Sequence, residues 1–72
     1  MSLSLILNGQ TRDFPTLSEV STLDQVIAEL GLKSDRVAVE HNGNIVARNV
    51  WPQTQISQQD RLEVVHFVGG GI

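Results

Sequence analysis

The sequence predicts an α+β domain, a small mixed sheet with one helix packed on one face. Three observations carry that expectation. Two Asn-Gly pairs, Asn8-Gly9 and Asn42-Gly43, each stand between runs of strand character. One stretch, Thr22 to Leu30, has the apolar spacing of a helix. A β-branched run from Arg61 to Val68 follows a long polar segment. Hairpin, helix, hairpin, loop and strand in this order place one helix against one sheet.

Each element has its own signal. Leu3, Leu5 and Leu7 alternate with Ser4, Ile6 and Asn8, the period-two pattern of a strand. Asn8-Gly9 then supplies two residues that tolerate positive φ, so a tight hairpin is expected, with Gln10 to Phe14 as its return strand. Pro15, which cannot donate to a ladder, is expected to end it. Thr22 and Gln25 have the spacing of a capping box. Leu23, Val26, Ile27 and Leu30 fall on one helical stripe, and Gly31 follows as a stop. The helix is about nine residues long, too short to persist without packing. Val37 to Glu40 and Ile45 to Ala47 read as a second hairpin around Asn42-Gly43. Arg48 to Gln59 is polar and contains Pro52, so it reads as a loop with one short helical turn near Val50-Trp51. Arg61 to Val68 is the last strand.

Bulk properties bound the function. The 72 residues allow one domain, taken as 1–68 with a glycine-rich tail at 69–72. A domain of this size buries only roughly 60% of its unfolded surface, which disfavours a deep catalytic pocket. The net charge is −3, and the five basic residues do not cluster. A nucleic-acid binder would show a basic patch. No cysteine is present, which excludes thiolate catalysis, a cysteine-held zinc and an iron–sulfur centre. No apolar run is long enough to span a membrane, and the N-terminus lacks the basic flank of a signal peptide, so a cytoplasmic protein is expected.

Gly69-Gly70-Gly71 follows the last strand directly. Three glycines make a thread without side chains that extends about 10 Å at ~3.3 Å per residue. Such a thread fits a channel that bulkier sequence could not enter. A glycine-rich end alone is weak evidence of function, because ends are often without a role.

Asn8-Gly9, the helix, Asn42-Gly43 with Ile45-Val46-Ala47-Arg48, Trp51, Asp60-Arg61-Leu62-Glu63-Val64-Val65 and the ending His66-Phe67-Val68-Gly69-Gly70-Gly71 together resemble the ThiS family. These are the sulfur carriers of thiamine biosynthesis, with the ubiquitin-like β-grasp fold. The resemblance covers nearly the whole chain. The small subunit of molybdopterin synthase shares the fold and a Gly-Gly end, but usually has a proline pair before its last residues. Here His66 and Phe67 stand at those positions. A non-catalytic β-grasp interaction module is the remaining alternative.

The resemblance implies a protein co-substrate without catalytic residues of its own and without a metal. An E1-like adenylyltransferase, using ATP and Mg, would adenylate the carboxylate of Gly71, the end of the Gly69-Gly70-Gly71 tail. Sulfur would replace AMP, and thiazole synthase would take it from the resulting thiocarboxylate. Ile72 departs from this pattern, because a peptide-bonded Gly71 has no carboxylate. Removal of Ile72, or its being foreign to the natural chain, is what the carrier reading requires.

The β-grasp likeness also places the first and last strands side by side. Leu62 and Val64 are expected inward, and Val65 and Phe67 outward. Ile6, Val65 and Phe67 are then expected to form one apolar patch for a partner beside the tail. His66 is expected at the edge of the core as a partly buried structural histidine, and Trp51 as a lid over the core edge.

Overall fold

A computed structural model of the chain describes residues 2–67. In chain order come β1 (Ser2–Leu7), β2 (Gln10–Ser18), β3 (Ser21–Thr22), α1 (Leu23–Glu29), a 3-10 turn (Ser34–Arg36), β4 (Val37–His41), β5 (Asn44–Ile45), a longer 3-10 segment (Arg48–Gln53), β6 (Gln55–Ile56) and β7 (Arg61–His66). The assigned tail and the domain boundary at 68 lie outside the described residues.

Five strands form one sheet in the order β2-β1-β7-β4-β5, and β3 pairs separately with β6. β1 runs parallel to β7, while the β1–β2, β7–β4 and β4–β5 pairs are antiparallel. The sheet is therefore mixed, as expected, with α1 against one face. The two hairpin turns form as the Asn-Gly pairs predict. Asn8 and Gly9 have φ of +49° and +81°, and Asn42 and Gly43 have +50° and +89°. Two successive positive φ values match the twist of the flanking strands.

Alternation sets the core. Leu3 and Leu5 of β1, Leu62 and Val64 of β7, and Val37 and Val39 of β4 all point inward, where they meet Leu23, Val26 and Ile27 of α1. The helix is held at both ends. Gln25 Oε1 accepts the Thr22 N–H at 2.8 Å. At the other end Gly31, φ +75°, lets its own N–H reach the Ala28 carbonyl and that of Leu32 reach the Ile27 carbonyl. That is a Schellman ending, and only glycine adopts the required φ without cost.

Four local expectations are corrected. The helix has 7 residues, because Leu30 already serves as its C-cap. β2 runs on through Pro15 to Ser18. It is an edge strand, where a missing N–H on the outer side costs no ladder bond. The polar segment from Arg48 is ordered: six residues form the 3-10 segment, then β6 pairs with β3. Trp51 is no lid but part of the core, 2% exposed, with its indole N–H donating to the Val46 carbonyl at 3.0 Å.

Candidate functional site

The site begins where β7 hands over to the glycines. β7 is held on its β4 side up to Phe67 and on its β1 side as far as Val64. On the β4 side, the Phe67 N–H donates to the Arg36 carbonyl at 2.9 Å, extending the ladder that runs from Val37↔His66 to His41↔Leu62. On the β1 side the strand pairing is short, Ile6↔Arg61 and Leu7↔Leu62. Beyond it Asn8 takes over. Its Oδ1 accepts the Val64 N–H at 2.8 Å, and its Nδ2 donates to the Val64 carbonyl at 3.3 Å. One side chain thus imitates a further strand residue. Asn8 was legible only as a turn former, because the sequence does not disclose which strand lies beside its carboxamide.

The opposite end of β7 is anchored as well. The Gln58 carboxamide bonds the Ser4 N–H and the Ser2 carbonyl, and the Gln59 N–H donates to the Ser4 carbonyl at 2.7 Å. Asp60 Oδ2 accepts from His41 Nε2 and from the Ser57 N–H, both at 2.8 Å. Burial opposes the charge of Asp60, but the hydrogen bonds from His41, Ser57 and Asn42, together with the charge on His41, outweigh it. The carboxyl is held below its ordinary range.

The structure splits the expected partner patch. Val65 and Phe67 are 60% and 55% exposed on the outer face, away from the helix. Ile6 is only half-buried on that face and lies beside Arg61, not beside Val65. Val65 lies four positions along β7 from Arg61, about 13 Å at ~3.3 Å per residue. The neighbour of Val65 is Ala38 on β4. Further across the same face, Ile45, paired with Glu40, is 81% exposed. The apolar surface near the tail root therefore spreads towards β4 and β5, and Ile6 stands apart from it. His66 is exposed, not partly buried as expected. On the β1 side the strand pairing has already ended at Leu62, while Val37 still pairs with His66 on the other side, and the helix ends at Glu29. Gly70 and Gly71, expected as the sulfur-carrying terminus, and Gly69 of the tail lie outside the described residues.

Phe67 also stands at the mouth of a groove of about 670 Å³ between β4 and the 3-10 segment, shared with Ile45, Val46 and Trp51. Among the described residues no three histidine or acidic side chains gather in a way that could hold a metal ion. Among them, too, no helix is long and apolar enough to cross a membrane.

A family model described as the ThiS family matches residues 5–71, which includes the three glycines. A sulfur carrier protein ThiS from Bacillus subtilis is 33% identical over 67 residues, covering 93% of this chain and 98% of that protein. A thiazole synthase from Paramagnetospirillum magneticum is 39% identical over 69 residues, which is 96% of this chain but 20% of that protein. The chain thus spans about a fifth of that relative's length. Among solved structures, the crystal structure of a thiamine biosynthesis protein (ThiS) from Geobacter metallireducens superposes with a TM-score of 0.81 at 26% identity, covering 96% of this chain and all of that one.

Proposed function

The chain belongs to the ThiS family of sulfur carriers, and from that premise we propose that it carries sulfur, as a C-terminal thiocarboxylate on Gly71, to the thiazole of thiamine. The observation that carries this reading is the family match running through Gly71 on a domain whose last strand is clamped up to Phe67. Such a clamp presents whatever follows it from a fixed point. The carrier is a co-substrate and leaves the chemistry to its partners.

The chemistry proposed is activation followed by substitution. A carboxylate is a poor electrophile. In the active site of an E1-like enzyme holding ATP and Mg, the Gly71 carboxylate attacks the α-phosphorus and pyrophosphate leaves. A persulfide sulfur of the donor then attacks the acyl carbon and AMP leaves, giving an acyl disulfide; a second thiol cleaves its S–S bond, ends as a disulfide with the donor, and leaves the thiocarboxylate. Thiazole synthase is the acceptor. A ThiS-like unit makes up a fifth of the thiazole synthase relative, which supports an encounter between carrier and synthase. The step requires Gly71 to be terminal, so Ile72 is either removed first or foreign to the natural chain. Val65 and Phe67 form the docking surface at the tail root, with Ala38 and Ile45 extending it.

The test is ATP–pyrophosphate exchange by the activating enzyme of the same organism. A chain ending at Gly71 is expected to drive exchange. Chains ending at Val68 or retaining Ile72 are expected not to. Exchange that ignores the state of the terminus would contradict the proposal.

A further inference from the structure

The groove between β4 and the 3-10 segment takes no part in the tail chemistry. Its volume is about 670 Å³, within the ~300–1,000 Å³ typical of small-ligand clefts. Its inner wall is apolar, with Val46 and Trp51, and its mouth is flanked by the exposed side chains of Ile45 and Phe67. Asp24 and Asp35 also line it. Among the described residues the one ion pair is His41–Asp60, so neither carboxylate has a cationic partner there. Arg48 is the single cation of the lining, which leaves the groove with an excess of negative charge, in keeping with the −3 of the chain.

We propose that this groove seats an extended segment of thiazole synthase that offers an apolar side chain to Val46 and Trp51 and a lysine or arginine to Asp24 and Asp35. The inference rests on the carrier reading above and names the chemistry of its partner. Ile45 and Phe67 at the mouth are 81% and 55% exposed, and a protein segment crossing the mouth covers both. Charge complementarity selects a basic segment. Phe67 belongs both to the groove and to the end of the clamped strand, so the groove is continuous with the docking surface at the tail root. A segment bound there fixes the direction from which the tail enters the synthase.

The experiment uses the full chain and the thiazole synthase of the same organism. Trp51 is the only tryptophan of the carrier, so its emission, followed against a tryptophan-free synthase variant, reports occupancy. Synthase is expected to shift Trp51 emission. Asp35→Lys is expected to weaken binding about tenfold, and Asp35→Asn less, with a shallower dependence on salt. Ile45→Ser, at an exposed position, is expected to weaken binding without changing the thermal midpoint. Wild-type affinity and salt dependence in all three variants would overturn the inference while leaving the carrier reading intact. So would a change in Trp51 emission of the free chain on deleting 68–72, which would make the tail the occupant, or on raising its concentration, which would make a second copy the occupant. Absence of any binding between wild-type carrier and synthase would instead overturn the carrier reading beneath it.

Discussion

Asn8 sits in a two-residue turn with φ +49° and lends its carboxamide to both polar backbone groups of Val64. The two roles are separable. Asn8→Gly keeps the conformation and loses the bonds, while Asn8→Ala loses both. The alanine variant is expected to cost about 2 kcal/mol and the glycine variant about 1 kcal/mol, by urea denaturation. Faster hydrogen exchange at the Val64 N–H is expected in both. Asp60 gives a prediction in pH. Its folded value lies below the unfolded value of about 3.9, so its contribution is complete above that pH and is lost as pH falls through the lower, folded value. Asp60→Asn is therefore expected to be about 1 kcal/mol less stable near neutrality. The gap should close in acid, as thermal melts from pH 7 down to pH 2 will measure; a gap independent of pH would contradict this account of the carboxylate. Neither role was legible in the sequence. Asn8 reads as a turn residue and Asp60 as a strand flank, since their partners lie 56 and 19 positions away.

At the scale of elements, the alternating and helical periods placed the inward residues of β1, β7 and α1 correctly. Those periods report which face of an element is buried. They do not report register between strands distant in sequence, which is why Ile6 was grouped with Val65 although it pairs with Arg61. They are also silent on short pairings such as β3 with β6, where two residues leave no period to detect. β7 shows the two kinds of face side by side, and substitutions on them should separate. Phe67→Asp, at a position 55% exposed, is expected to change the unfolding midpoint little and to weaken partner binding about tenfold or more. Leu62→Ala, at a position fully buried, is expected to cost about 3 kcal/mol. Unfolding on Phe67→Asp would show that this ring belongs to the core.

The whole molecule divides its labour by position. Among the described residues, twelve buried apolar side chains, from Leu3 to Val64, hold a sheet whose final strand is bonded on both edges. A domain of this size has a stability of about 5 kcal/mol, so the loss of one core contact consumes much of it. That stability holds in place the end of β7, bonded to the β4 side up to Phe67. The fold class was legible because hairpin signals and one helical stripe are local. The groove beside Phe67 was not, since its walls come from α1, β4, β5 and the 3-10 segment. The measurement that tests the carrier role most directly is the intact mass of the protein purified from its own cells during thiamine limitation. The expected pool ends at Gly71, and part of it carries one sulfur in place of one terminal oxygen. A pool that retains Ile72 throughout and contains no added sulfur would contradict the account.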